Sequence, residues 1–453
     1  MIFKDENILV VGLATSGIPT VKTLLELGAK VTVHDMKSKD QLMDIIMEID
    51  NKSVNYILGK HPDEISNYNY IILSPGVPMD IPFIKEAINQ NIVVMGELEL
   101  AYQLCKGSFI AITGTNGKTT TTALTGEIFK NAALESYIVG NIGVAAITKA
   151  LTASEKAIMV TEVSSFQLES IIDFKPQIAA ILNITPDHLN RHKTMNNYTN
   201  AKANVFLNQG TDDFIIINAD NEITYDLRCK AKSKVILFSR IQKLDIGAFV
   251  HDNNIVYSHN GKDLIVICGV DELKIPGAHN LENALAAVAI SVCAGINSEV
   301  IALTLRSFMG VEHRLEYVDK LNDITFINDS KGTNPDASIK AIEAMNTPII
   351  LIAGGMDKGS NFEEFIKAFN GKVKHMVLIG ETADKMKEAA ENLSFHNTII
   401  LKNMEEAVEM SYKLASKGDT ILLSPACASW DMYQNFEDRG RHFKSCVNKL
   451  RGQ

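Results

Sequence analysis

The chain has 453 residues, 46% hydrophobic and 22% charged, with a formal net charge of −10 at pH 7. That length implies two to four domains of ordinary globular composition. The acidic balance argues against a nucleic-acid binder, whose footprint is a basic face, and no apolar run reaches the ~18 residues of a membrane span.

In the first block, Asn7 to Val11 reads as a strand, Gly12 to Gly17 as a glycine turn and Ile18 to Leu27 as a helix. Ala29 to His34 is a second strand, ending at Asp35, and Tyr70 to Leu73 a third, ending in Ser74-Pro75-Gly76. Alternating strands and helices predict a parallel, doubly wound sheet. The turn resembles a dinucleotide fingerprint, with Asp35 at the ribose distance. Ala14, however, stands where the middle glycine would let backbone approach a pyrophosphate. A tight strand–helix turn and a site for another nucleotide diphosphate, such as a UDP-sugar, are the alternatives. A strand from Asn91 to Met95 precedes Gly96-Glu97, the expected first boundary.

The second block opens with an apolar run, Phe109 to Ile112, that enters Thr113-Gly114-Thr115-Asn116-Gly117-Lys118-Thr119-Thr120. A helix is expected over Thr121 to Lys130. A glycine-rich turn at a helix N-terminus curls backbone N–H groups around phosphate oxygens. Lys118 can reach the outer phosphates, and Thr119 can place a hydroxyl on Mg²⁺. Gly114 and Gly117 are separated by two residues, and Ile112 stands where the common P-loop has its first glycine. Strands Lys156 to Val160 and Ile178 to Asn183 run into Thr161-Glu162 and Pro186-Asp187-His188. Open α/β sheets place ligands at such strand ends. Glu162 could meet a cation that prefers oxygen ligands. Read alone, His188 is more often structural than a ligand, and Lys202 is ordinarily a solvated helix lysine. Residues 213 to 266 turn β-rich and irregular, and an alanine-rich helix, Leu281 to Ala294, follows.

The third block starts near Gly310-Val311-Glu312-His313-Arg314. Strands are expected at Thr325 to Asn328, Ile349 to Ala353, Met376 to Ile379, Thr398 to Leu401 and Thr420 to Leu423, alternating with helices such as Ala337 to Met345 and Phe362 to Phe369. Three of them end in loops rich in hydroxyls, basic groups and backbone donors: Asp329 to Asn334, Gly354 to Gly359 and Ser424 to Trp430. One such loop is unremarkable. Three on one sheet edge favour a site for an anionic small molecule.

GTNGKTT, followed by EVSSFQLE, NITPDHLNRH and GAHNLENALAA, resembles the Mur ligases of peptidoglycan precursor synthesis. NDSKGTNP, GGMDKGSNF and LSPACASWDMYQNFEDRG are similar to the D-glutamate-adding branch. The resemblance implies three domains: a Rossmann-like domain over 1–97 for the UDP substrate, a P-loop ATP-binding domain over 98–309, and a Rossmann-like amino-acid domain over 310–453. It implies ATP and Mg²⁺ as cofactors. Gly114, Thr115, Asn116, Gly117, Lys118, Thr119 and Thr120 would hold the phosphates, and Asn283, Arg314 and Asp329 the adenine, phosphate and ribose. Thr119, Glu162, His188 and a carbamylated Lys202 would bind metal, with Lys118, His188 and Lys202 central to catalysis.

Ser16, Asp35 and Ser74 would contact the UDP part and Asn141 the muramoyl part. Met36-Lys37 follow Asp35 where many relatives have an arginine. Lys331, Thr333, Lys358, Ser429 and Phe436 would form the D-glutamate pocket. The implied reaction joins D-glutamate to UDP-N-acetylmuramoyl-L-alanine through an acyl phosphate; another amide ligase of the superfamily, a different murein ligase or one like folylpolyglutamate synthase, is the alternative. A cytoplasmic monomer is expected, with no nucleic-acid or membrane partner. Six cysteines without a C-x-x-C pair fit a reducing compartment.

Overall fold

The computed structural model describes residues 3–13, 16–49, 53–275, 277–357 and 359–451. Its three sheets fall into two compact units. Met1–Asp271 and Glu282–Leu305 form one; Glu272–Leu281 and Arg306–Gln453 form the other.

In the first unit, β1 (Asn7–Val11), β2 (Lys30–Asp35), β3 (Asn55–Leu58), β4 (Tyr70–Leu73) and β5 (Val93–Gly96) make a sheet in the order β3-β2-β1-β4-β5. All pairs are parallel. The chain winds outward from β1 and then crosses to β4, so the strand order reverses between β1 and β4. Ligand crevices open at such a switch point, outside the carboxyl ends of the strands. Gly12 and Ser74 sit there, joined by a 2.8 Å bond from Ser74 Oγ to the Gly12 carbonyl.

The second sheet holds β6 (Ser108–Thr113), β7 (Ser136–Gly140), β8 (Ile158–Glu162), β9 (Ile178–Ile181), β10 (Phe214–Asn218), β11 (Lys234–Ser239), β12 (Gly247–His251), β13 (Asn254–Ser258) and β14 (Leu264–Gly269). The order is β14-β13-β12-β11-β10-β9-β6-β8-β7. β6 lies between β8 and β9, parallel to both, so the glycine-rich turn leaves a second switch point. The irregular stretch begins with β10 and β11, which continue the parallel sheet, and ends in two antiparallel pairings, β12–β13 and β13–β14. Asp252 and Asn253, at φ 47° and 58°, make the two-residue turn between β12 and β13. Short polar residues tolerate that left-handed backbone.

Helix Glu97–Leu104 links the two sheets in the chain and is buried along Glu97–Ala101. Its acids cap neighbouring backbone. Glu97 Oε1 accepts from Ile147 N at 2.7 Å, and the Glu99 carboxylate accepts from Ile172, Asp173 and Phe174 N at 2.7–3.1 Å. Tyr102, Phe109 and Phe174 meet edge to face at 5.5–5.6 Å.

The second unit holds β15 (Glu316–Leu321), β16 (Ile324–Asn328), β17 (Ile349–Ala353), β18 (Val373–Leu378), β19 (Thr398–Ile400) and β20 (Thr420–Leu423), ordered β15-β16-β20-β17-β18-β19. Only β15–β16 is antiparallel. Along β17, Ile349, Leu351 and Ala353 enter one core, and Ile350 and Ile352 the other. The two-residue period of a strand thus buries both faces, which explains an unbroken apolar run.

Four expected strands are found at their expected bounds: β1, β4, β17 and β20. β8 runs two residues beyond the expectation and takes in Thr161 and Glu162. Glu162 ends a buried strand because its carboxylate is held there, Oε1 accepting from Asn141 Nδ2 at 2.7 Å. β3, β7 and β15 carry few fully buried residues and no more than three consecutive apolar ones.

Candidate active site

β6 delivers the chain to Gly114, and helix Lys118–Asn131 begins right after Gly117. Gly117 has φ +83°, and a Cβ there would lie 2.2 Å from Asn283 Oδ1. Only glycine fits both the backbone and that approach. The turn is braced from β9's loop: Thr115 N donates to Asn183 O at 2.9 Å, and Asn116 N to Asn183 Oδ1 at 2.8 Å. Thr115 Oγ1 accepts from Thr185 N at 3.0 Å and lies 3.1 Å from the Tyr198 hydroxyl. Thr119 and Thr120 are buried in the first helical turn. Lys118 Nζ donates to Gly114 O and Thr115 O, each at 2.9 Å. Asn283 is buried beside the turn, and Thr121 Oγ1 donates to its Oδ1 at 3.3 Å.

Lys202 is brought to the same turn. Thr194 caps helix Met195–Ala203, its side chain accepting from Asn197 N. Tyr198 and Lys202, four apart, therefore share one face, with the Lys202 amine 4.8 Å from the Tyr198 ring. Lys202 is 1% exposed, and its Nζ donates to Gly114 O at 2.7 Å. Two lysines thus share one carbonyl. Burial first, then Lys118, holds the Lys202 amine well below the ordinary lysine range, against Asp187 and Glu162, which raise it. A desolvated amine beside another cation is favoured as the neutral base.

Glu162 is buried, and its Oε2 has no hydrogen-bond partner. Thr120 Oγ1 is likewise unpaired. A carboxylate oxygen and threonine hydroxyls at a phosphate-binding turn are the donor set of a hard divalent cation, so these residues fit Mg²⁺. His188 has left-handed backbone (φ 52°), a half-exposed imidazole 3.6 Å from Asp187 Oδ2, and the Phe166 ring edge-on at 4.9 Å.

The structure adds residues that the sequence reading did not single out. Arg191 donates to the carbonyls of Gly76 and Val77 at 3.1 and 3.2 Å, and to Glu169 Oε2 at 2.7 Å. Its guanidinium lies 4.4 Å from the Phe166 ring. His192 is buried, with Nε2 2.9 Å from Ser165 Oγ and Nδ1 3.2 Å from Glu169 Oε1. These side chains tie the loop after β9 to the loop after β4. All lie inside the strings EVSSFQLE and NITPDHLNRH, so the motifs contained them without marking their roles.

At the first sheet, Asp35 closes its own turn: Oδ2 accepts from Leu13 N and Oδ1 from Lys37 N, both at 2.9 Å. Ser16 is half-buried just before helix Gly17–Glu26. Asn141 follows β7 and is exposed apart from its bond to Glu162.

In the second unit, Asp329 follows β16, Ser424 follows β20, and Ser424 Oγ donates to Asp329 Oδ2 at 2.7 Å. Burial pushes the Asp329 carboxyl up to about 6, against Ser424, Arg314 and Leu315 N, which lower it. Arg314 Nε is buried without a hydrogen-bond partner. The Lys331 amine stands 5.3 Å from the Phe436 ring, and Phe436 opens helix Phe436–Leu450. Thr333 N donates to Lys331 O at 2.8 Å. Ser429 is buried, its carbonyl accepting from Met432 and Tyr433 N at 3.1 and 2.8 Å. Lys331, Thr333, Ser429 and Phe436 thus lie on loops or at a helix start around one sheet; Lys358 lies outside the described residues.

Three α/β sheets, one bearing a glycine-rich turn at a helix N-terminus against half-buried Lys118 and buried Lys202, point to the class of nucleotide-dependent α/β enzymes. Family models match in three places. The Mur ligase MurD-like N-terminal domain covers residues 6–96, the Mur ligase middle domain 112–291, and the Mur ligase glutamate ligase domain 313–427. The chain belongs to the Mur ligase family. The UDP-N-acetylmuramoylalanine–D-glutamate ligase of Alkaliphilus oremlandii is 54% identical over 454 residues, with 100% of both chains covered. The enzyme so named from Clostridioides difficile is 50% identical over 455 residues, again with 100% of both covered. Among solved structures, UDP-N-acetylmuramate–alanine ligase MurC from Thermotoga maritima aligns with TM-score 0.60 at 18% identity, covering 98% of this chain and 100% of that one. MurF from Acinetobacter baumannii aligns with TM-score 0.62 at 17% identity, covering 98% and 93%. At those identities the structures show the shared fold. No helix among the described residues is long and apolar enough to cross a membrane.

Proposed function

We propose that this chain is an ATP-dependent ligase that joins D-glutamate to UDP-N-acetylmuramoyl-L-alanine. The observation that carries the reading is end-to-end similarity, at 54% identity, to a ligase named for that reaction. The chain also keeps a buried Lys202 amine 2.7 Å from the Gly114 carbonyl of its phosphate-binding turn.

A carboxylate is a poor electrophile. One oxygen of the alanine carboxylate attacks the terminal phosphorus of ATP, the bond to the bridging oxygen breaks, and ADP leaves. The neutral amine of D-glutamate then adds to the acyl carbon; inorganic phosphate departs and the amine loses a proton. Two anions must meet in the first step, so catalysis here is mainly positioning and electrostatics. Residues 114–120 shape the cradle for the phosphates, with backbone N–H groups offered from Gly117 onward, and Lys118 turns from its two carbonyls toward the transferring phosphoryl group.

Mg²⁺, when bound, supplies positive charge between the two anions. Thr119, Glu162 and His188 would hold it, joined by Lys202 once its neutral amine has added to CO₂ and lost a proton, turning a cation into an anionic oxygen ligand. Asn141 fixes Glu162 through Oε1 and leaves Oε2 for the ion. Ser74 and Ser16, at the switch point of the first sheet, would serve the UDP part. Lys331, Thr333, Ser429 and Phe436 would receive D-glutamate, with Lys358 added from the sequence resemblance.

The test uses UDP-N-acetylmuramoyl-L-alanine labelled with ¹⁸O in the alanine carboxylate. With ATP, Mg²⁺ and D-glutamate, product should form and one ¹⁸O should appear in inorganic phosphate. Product without label transfer would overturn the acyl phosphate, and no product would overturn the reaction.

A further inference from the structure

Helices Met404–Leu414 and Phe436–Leu450 pack together in the second unit. They carry side chains that the ligase chemistry does not use. Spacing by four places Glu405 and Glu409 on one face of the first helix, and His442 and Cys446 on one face of the second. A carboxylate oxygen of Glu405, an imidazole nitrogen of His442 and the Cys446 sulfur all lie within 4.8 Å of one another. His442 Nε2 is 2.7 Å from Glu405 Oε1, and its Nδ1 is 2.9 Å from the Tyr433 hydroxyl. Cys446 is 4% exposed and in no disulfide. Burial first, then Glu405, pushes the Cys446 thiol up to about 11; Glu409 acts in the same direction and Lys449 against them.

Sulfur, imidazole and carboxylate on two helices are the donor types of a tetrahedral zinc site. A hydroxyl on the far imidazole nitrogen is the outer partner that fixes which nitrogen faces a metal. A contrasting cluster, Glu312, His313 and Glu316, offers no sulfur, and the Lys444 amine already bridges its carboxylates at 2.8 and 2.6 Å. We propose that Glu405, His442 and Cys446 form a binding site for a thiophilic divalent cation, zinc foremost, that links these two helices. A water or Glu409 completes the four ligands.

On binding, Cys446 releases its thiol proton to solvent. The His442 proton shifts from Nε2 to Nδ1, the Tyr433 hydroxyl turns its own hydrogen away so that its oxygen accepts a hydrogen bond from Nδ1–H, and the ion takes the place of the lost proton between Nε2 and Glu405. Ligand atoms around tetrahedral zinc stand about 3.3–3.7 Å apart, so that contact widens by a side-chain adjustment. The ion is a staple rather than a reactant, distinct from the Mg²⁺ at the phosphate-binding turn.

The test titrates the full-length, metal-free protein with Co²⁺ and follows the thiolate-to-cobalt charge-transfer band. One equivalent should give the band with tetrahedral d–d absorption, zinc should displace it, and zinc should raise the melting temperature. Cys446→Ser should abolish the band, and His442→Gln should weaken binding at least tenfold. If Cys446→Ser fails to fold, His442→Gln carries the comparison. Cys229→Ser, which removes the exposed thiol, should leave the band intact. Absence of a thiolate band at one equivalent, its survival in Cys446→Ser, or its loss in Cys229→Ser would overturn the site.

Discussion

Lys202 shows how far a residue's chemistry depends on its surroundings. In the sequence it is one polar position in a short helix. In the fold it is 1% exposed, held to Gly114 O, and disfavoured as a cation by burial and by Lys118. Addition to CO₂ needs the unprotonated amine, which burial and Lys118 favour over the cation. Lys202→Ala should therefore lose most activity, and small carboxylates at high concentration should restore part of it by supplying the missing anion. An alanine variant as active as the parent would refute the role. Lys118→Ala should leave melting unchanged while ADP release falls at least ~100-fold, since one preorganised contact to developing charge is worth about 10²–10³ in rate. Near-normal turnover would remove Lys118 from the phosphoryl-transfer step. Nothing in the spacing of Lys202 marked it; only its likeness to a known pattern did, because burial comes from tertiary packing.

Among the elements, the parts legible in the sequence were those whose signal is local. β1, β4, β17 and β20 are short apolar runs bounded by turn formers, and buried parallel strands need no more. The glycine-rich turn was legible because its backbone geometry demands glycine. Half-buried β3, β7 and β15 were not, since few of their side chains are fully buried. The caps made by Glu97 and Glu99 were invisible, because their partners lie 50 to 75 residues away.

Glu97 gives this scale its prediction. Burial raises its carboxyl to about 7 from 4.5, against the Ile147 and Ala146 N–H groups, which lower it. The folded state then binds more protons than the unfolded between those values, so this residue's contribution falls as pH rises from about 4.5 to about 7 and is flat above. The full effect is on the order of 3 kcal/mol. Glu97→Gln keeps an acceptor for Ile147 N and cannot ionise. Its melting temperature relative to the parent should therefore rise between pH 5 and pH 8. A gap that does not move with pH would show that the backbone bonds fully offset the burial.

Across the whole molecule, the proposed reaction would divide its chemistry into phosphate binding, metal binding and recognition of two anionic substrates. Each of the three sheets would supply loops at strand carboxyl ends for one part of that work. Fold class and reaction class were legible because several long motifs appear in fixed order. How Arg191 and Glu169 tie the loop after β4 to the loop after β9 was not, because it depends on contacts across more than 110 residues. The central claim is the acceptor. D-glutamate presents two carboxylates while its amine must be free, so its pocket needs cationic and hydroxyl donors in a fixed array. Inversion at Cα moves the amine or a carboxylate out of register. The most direct measurement is ADP release by the purified chain with UDP-N-acetylmuramoyl-L-alanine across D-glutamate, L-glutamate, L-lysine, L-alanine and glycine. D-glutamate should support turnover at least ~100-fold above every other acceptor; turnover with L-glutamate or L-lysine equal to or above that with D-glutamate would contradict the account.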